Sequence, residues 1–223
     1  LKSAQSLVNE FKEGDYIYKS RFYMAESLYA LNRFDDARNE YQNLIKDYAG
    51  GEWNDQAQYR IGLVYFTYAN SIQDEGAKKS IYNEAIKSWR ELIRAYKDSK
   101  ILDKGQYYIG YALINMKDYD SAIDSFKTVI SGYPNSDLVD DSKYRIAWCL
   151  YKKQDYKSAI KSSNEMIAQH KESDLIDQAL FLVGESYFGL SDYKNAIQFY
   201  ERVAKEHPTS TLRPRALFKV ADC

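Results

Sequence analysis

Two cysteines and two histidines are the side chains of this sequence best suited to chemistry, as thiol nucleophiles, disulfide partners or metal ligands. Cys149 and Cys223 are 74 residues apart, and His170 and His207 are 37 residues apart. A structural zinc site needs four ligands, and no neighbouring residues complete a site around either histidine. Both separations are multiples of 37, which indicates a repeating scaffold. We therefore expect no metal, no cofactor, no disulfide and no enzymatic activity.

Other reactive patterns are equally poor in candidates for catalysis. Asp137, Asp140 and Asp141 form an acidic cluster at the predicted start of a helix, where negative charge favours the helix dipole. A calcium site would need a loop of oxygen ligands that this cluster does not provide. The sequence contains no glycine-rich phosphate loop, HExxH or GxSxG string. No residue is therefore assigned a catalytic role.

The 37-residue spacing belongs to an internal repeat. The strings KDYDSAIDSF, QDYKSAIKSS and SDYKNAIQFY begin at residues 117, 154 and 191. A small residue precedes each alanine of this motif by twelve positions, and large residues surround both small positions at offsets of three, four and seven. These offsets mark one face of an α-helix, and no stretch alternates with the period of two that a strand requires. Each unit is therefore predicted to be two helices joined by a short turn, crossing closely at the small residues.

The repeat predicts one solenoid over residues 1–223, because helix pairs of this kind are stable only when stacked. One unit carries 11 extra residues near 69–79, which should lengthen both of its helices until they meet near residues 74–76. This extension is either a partner contact or a tolerated surface insertion. Incomplete units at both ends suggest a piece of a longer protein. The predicted units are a partial unit at 1–14, repeats at about 15–51, 52–99, 100–136, 137–173 and 174–210, and a partial unit at 211–223.

Composition excludes several classes of partner. The 223 residues carry 31 basic and 32 acidic side chains, for a net charge of −1, and no basic stripe suits nucleic acid. No apolar run approaches the ~18 residues that a membrane span requires. No signal peptide is visible at Leu1. We expect the partners to be other proteins, in an oligomeric state that the sequence does not define.

The pattern of each unit consists of the small and large positions, the Asp-Tyr and Ala-Ile pairs, and closing sequences such as Tyr133-Pro134 and His207-Pro208. This pattern resembles the tetratricopeptide repeat. The resemblance covers essentially the whole chain, although the usual repeat has 34 residues. The longer unit and its endings are similar to those of bacterial envelope proteins of the Tol-Pal coordinating and outer-membrane-protein assembly lipoprotein types. Ser163 departs from the pattern, because a bulky aromatic residue is usual there. The resemblance implies an all-α, right-handed superhelical solenoid and, for localisation, the bacterial periplasm, with the cytoplasm as the alternative.

Such a solenoid implies a concave groove lined by the first helix of each pair, which holds an extended peptide or a partner helix. Tyrosine and tryptophan suit this role because they combine rigid area with a polar tip. Packing alone is an alternative explanation, above all for the first large position of each helix; the middle position varies most along the chain and is the most informative about binding. The predicted groove residues are Tyr107, Tyr111, Ile114, Tyr144, Trp148, Tyr151, Phe181 and Glu185.

Three functions fit these predictions. The first is a non-enzymatic protein-binding scaffold of the cell envelope. The second is a structural spacer or rib in a periplasmic motility or secretion machine, where convex faces would matter more than the groove. The third is a regulatory domain of a larger protein, with catalysis elsewhere.

Overall fold

The computed structural model describes residues 15–223, so the partial unit predicted at 1–14 lies outside the described residues. The described part of the chain contains eleven α-helices and no strand. It forms two compact units, which divide between Met116 and Lys117. Over these same residues, no helix has both the length and the apolar character needed to cross a membrane.

The first unit contains five helices, each packed against the next in the chain. Their bounds are α1 (Asp15–Ala30), α2 (Phe34–Asp47), α3 (Asn54–Ser71), α4 (Glu75–Ala95) and α5 (Leu102–Asn115). Helices α3 and α4 have 18 and 21 residues, and together they contain most of residues 69–79, with only residues 72–74 between them. The side chain of Asp74 caps α4 by accepting a hydrogen bond from the N–H of Ala77 at 2.6 Å.

The second unit contains six helices, and consecutive helices again pack against each other. They are α6 (Tyr119–Gly132), α7 (Val139–Lys152), α8 (Tyr156–Gln169), α9 (Ile176–Gly189), α10 (Tyr193–Glu206) and α11 (Arg213–Asp222). The first helices α7 and α9 also contact each other. This pattern of helix contacts brings the faces of first helices onto one side of the unit.

The turn within each helix pair explains why the sequence repeats an Asp-Tyr dipeptide. Gln154 and Ser191 have positive φ values of 63° and 60°, which reverses the chain at the end of the first helix. The aspartate that follows each of them, Asp155 or Asp192, caps the second helix by accepting a hydrogen bond from the N–H three residues later. The motif therefore encodes one chain reversal and one helix start.

The small positions allow the two helices of a pair to cross closely. A Cβ atom on Gly62 would lie 2.3 Å from the indole nitrogen of Trp89, and one on Gly184 would lie 2.7 Å from the Tyr200 ring. Both rings are fully buried. At these two crossings, the small residue of the first helix makes room for a large ring on the second helix.

Rings also end the second helices. Tyr48, Tyr96, Tyr133, His170 and His207 are the C-cap residues of α2, α4, α6, α8 and α10. The backbone N–H of each donates to the carbonyl oxygen four residues earlier. The histidines thus occupy a structural position that tyrosine fills elsewhere.

Candidate functional site

The three predicted groove residues at the first large position are buried. Tyr107, Tyr144 and Phe181 expose 7%, 9% and 6% of their surface. The Phe181 ring packs 5.3 Å from the ring of Tyr200 on α10. These three side chains therefore contribute mainly to the hydrophobic core and present little area to a partner.

The later positions on the same helices are more accessible. In the first unit, Tyr111 and Ile114 of α5 are half-buried, and the Tyr111 ring lies 5.3 Å from that of Tyr107. In the second unit, Trp148 and Tyr151 of α7 are half-buried. Rings in this state combine a fixed position with free surface, which is what an interface anchor requires.

Five of the eight predicted residues line one cavity of about 450 Å³ in the second unit. The cavity lies between α7, α9 and the start of α11. The other three predicted residues lie on α5 of the first unit. The cavity is lined by Tyr144, Trp148, Tyr151, Lys152, Asp177, Gln178, Phe181, Leu182, Glu185, Thr211, Leu212 and Arg215.

Two exposed cations lie over aromatic faces of this cavity. The ammonium nitrogen of Lys152 is 5.0 Å from the centroid of the Trp148 ring. The guanidinium carbon of Arg215 is 4.7 Å from the centroid of the Phe181 ring. Such contacts hold long cationic side chains near the ring faces. The cavity therefore combines aromatic walls with two cations, which are balanced by the carboxylates of Asp177 and Glu185 in the same lining.

Glu185 is engaged inside the fold. Its carboxylate accepts a hydrogen bond of 2.6 Å from the hydroxyl of Tyr200, and it pairs with Arg215 at 3.4 Å and Lys219 at 3.8 Å. Burial, followed by the neighbouring Glu185, raises the pKa of the Tyr200 phenol far above its ordinary value. This carboxylate therefore ties three helices together, α9, α10 and α11.

The first unit has the same arrangement. Glu26 accepts a hydrogen bond from the Tyr41 hydroxyl and pairs with Arg60 at 2.9 Å. In both networks the glutamate occupies the variable middle position and its tyrosine follows 15 residues later. Sequence analysis missed this coupling, although the shared 15-residue spacing was visible.

The cysteines and histidines show no reactive arrangement. Cys149 is fully buried, and burial raises the pKa of its thiol to about 12. Cys223 is half-buried, and both thiols are free. His170 contacts Asp140 through Nδ1 and Lys143 through Nε2, the latter at 2.7 Å. Across residues 15–223, no group of three or more His, Cys, Asp or Glu is placed to hold a metal ion.

Stacked helix pairs with small crossing residues and capped turns define the tetratricopeptide-repeat solenoid. Sequence-family comparison agrees: a tetratricopeptide-repeat family model matches residues 19–50, and a model described as outer membrane lipoprotein, YfiO, matches residues 101–194. The predicted resemblance and the predicted all-α solenoid are therefore confirmed. No curated protein sequence matches the chain.

Solved structures show the same fold at low sequence identity. The MamA protein has a TM-score of 0.64 at 16% identity, over 86% of this chain and 92% of its own. YrrB, described as a tetratricopeptide-repeat protein with an unusual peptide-binding site, has a TM-score of 0.62 at 16% identity, over 96% and 97%. A tetratricopeptide-repeat protein from Parabacteroides merdae has a TM-score of 0.68 at 10% identity, over 92% and 73%. This fold typically acts as a non-enzymatic scaffold for protein–protein interaction.

Proposed function

We propose that this chain is a non-enzymatic scaffold of the bacterial cell envelope that binds a peptide or partner helix in a groove formed by its first helices. The observation that carries the proposal is the cavity between α7, α9 and α11, where the rings of Trp148 and Tyr151 are half-buried and line the wall. Polypeptide binding is thus assigned to one surface of the second unit.

The physical argument rests on preorganisation. Buried neighbours fix the cavity walls, because Tyr144 and Phe181 belong to the core and Glu185 is locked by Tyr200. A partner side chain entering the cavity therefore orders few protein groups, which lowers the entropic cost of binding. Tryptophan and tyrosine are also enriched among residues that dominate interface energies.

The proposed location rests on a different observation. The outer membrane lipoprotein model matches residues 101–194, which include α7 and α9. We therefore place the scaffold in the periplasm, with partners among envelope proteins. Fractionation of cells that express the full-length protein would check this, and recovery in the cytoplasm would refute it.

Binding can be tested with peptides selected from a random 12-residue library against the purified chain. We expect Trp148→Ala to lower the affinity for a groove-binding peptide by about tenfold or more, since central aromatic anchors commonly contribute about 2 kcal/mol or more to the binding free energy. Tyr151→Ala should also weaken it. The matched control is Tyr193→Ala, which removes a 43% exposed ring on the second helix α10. Unchanged affinity of every selected peptide for both groove variants would exclude this groove and favour the spacer function.

A further inference from the structure

A second cavity, of about 730 Å³, lies in the first unit and contains none of the predicted groove residues. It is formed by α1, the N-terminal end of α3 and the loop that precedes α5. The described residues that line it are Phe22, Tyr23, Glu26, Glu52, Trp53, Asp55, Gln56, Arg60, Asp98, Ser99 and Lys100. Three of these eleven side chains are aromatic and four are acidic.

Three rings form the aromatic wall. The Trp53 ring meets the Phe22 ring edge to face at 4.9 Å and the Tyr23 ring at 5.8 Å. Phe22 is buried, whereas Tyr23 exposes 57% of its surface. The wall is therefore anchored in the core and offers ring surface at the cavity mouth, where a cation would be attracted by the ring quadrupole.

The charge of the cavity lining is negative. Glu26 and Arg60 neutralise each other through their 2.9 Å ion pair. The carboxylates of Glu52, Asp55 and Asp98 remain, against the single ammonium group of Lys100. Nearby, burial raises the pKa of the Tyr18 phenol to about 12, and the carboxylates of Asp55 and Glu52 add to this effect.

The acidic part of the cavity is preformed. One oxygen of the Asp55 carboxylate accepts a 2.5 Å hydrogen bond from the hydroxyl of Ser99, and the other accepts the N–H of Gln56 at 2.6 Å. The first bond joins the start of α3 to the loop before α5. A cation entering the cavity therefore meets a carboxylate whose position is already set, which reduces the cost of organising the site.

We propose that this acidic aromatic cavity binds a lysine or arginine side chain, flanked by apolar residues, from a partner polypeptide. The proposal extends the proposed function to a second site, so it depends on the chain being a polypeptide-binding scaffold. Nucleic acid and anionic membrane surfaces carry negative charge and would be repelled by this lining. The volume accommodates a cationic side chain together with a neighbour, which favours a peptide over a small cation.

The test uses the whole 223-residue chain and three probes: the fluorescein-labelled peptides GLKLKG and GLELEG, and spermidine as competitor. We expect GLKLKG to bind, GLELEG not to bind, and spermidine to compete only weakly. The double variant Glu52→Gln/Asp98→Asn should lower the affinity for GLKLKG about fivefold or more at low ionic strength, because it removes two carboxylates that line the cavity. Both positions are exposed, so circular dichroism should show an intact fold.

The matched control is Asp35→Asn/Glu75→Gln, which removes the same charge from the same unit outside the cavity. We expect this control to bind GLKLKG as the wild type does. Tyr23→Ala should weaken binding even though it leaves every charge in place, which separates the cavity from general attraction. The proposal would be overturned by any of three results: an equal loss of GLKLKG affinity in both double variants, no binding of GLKLKG, or competition by spermidine as strong as that by unlabelled peptide. Trp148→Ala should not change the affinity for GLKLKG, so the proposals for this cavity and for the second-unit groove can be refuted independently.

Discussion

Replacing Gly62 by alanine should destabilise the first unit, although alanine is the better helix former. In the middle of α3, alanine should gain ~1 kcal/mol from propensity. Its Cβ, however, would lie 2.3–2.7 Å from three atoms of the Trp89 indole. Trp89 is fully buried and its Nε1 donates a hydrogen bond to the carbonyl of Tyr59 at 3.2 Å, so it cannot move aside freely.

The expected net loss of unfolding free energy is about 0.5–3.5 kcal/mol. Overpacking a core costs ~1–3 kcal/mol, and a strained Trp89 hydrogen bond adds ~0.5–1.5 kcal/mol, which together exceed the helix-propensity gain. Urea denaturation followed by circular dichroism measures this. Gly76→Ala is the control, since its Cβ would meet only Asp74 Oδ1 at 3.5 Å. The reasoning is refuted if Gly62→Ala is as stable as the wild type or more stable.

Three further predictions concern buried polar groups. Ser163→Ala should raise the unfolding free energy by about 1 kcal/mol in urea denaturation, because the buried Ser163 hydroxyl has no hydrogen-bond partner. The control Ser186→Ala loses a 2.7 Å hydrogen bond to the carbonyl of Leu182 and should not stabilise the protein. Burial raises the pKa values of the Tyr41 and Tyr200 phenols, so their neutral forms favour the folded state and stability should fall as pH rises above about 10. The difference in absorbance at 295 nm between the wild type and Tyr41→Phe/Tyr200→Phe should develop only as helicity is lost, and a difference that develops in the folded chain would contradict this. Burial raises the pKa of the Cys149 thiol to about 12, so Cys149 should react with a thiol reagent at pH 8 much more slowly than Cys223. Equal reaction rates would contradict this and would show that the surroundings of Cys149 open readily.

The helix pairs were predictable because each rests on a local rule that repeats. The capping aspartates, such as Asp155, and the small crossing residues, such as Gly184, recur at fixed positions, and chance alone does not place so many matched features. The ring at the end of each second helix was also visible, including the two histidines that could have been taken for metal ligands. Periodicity thus predicted the helical secondary structure and the close approach of helices at positions such as Gly62 and Gly184.

The candidate site was less predictable, because exposure depends on three-dimensional neighbours. Tyr144 and Trp148 are both aromatic and one helical turn apart, yet the first is 9% exposed and the second is half-buried. Glu185 looked available to a partner, but its carboxylate is engaged by Tyr200. The acidic cavity of the first unit combines a helix, a helix start and a distant loop that brings Asp98, and no spacing rule links these segments.

The measurement that tests the account most directly is a photo-crosslinking map of a bound peptide. A library-selected peptide carrying a benzophenone would be irradiated on the chain, and the attached residues would be identified by mass spectrometry. We predict attachment to the first helices of the second unit, α7 and α9, and to the start of α11. Attachment confined to the second helices α8 and α10 would contradict the assignment of binding to the groove.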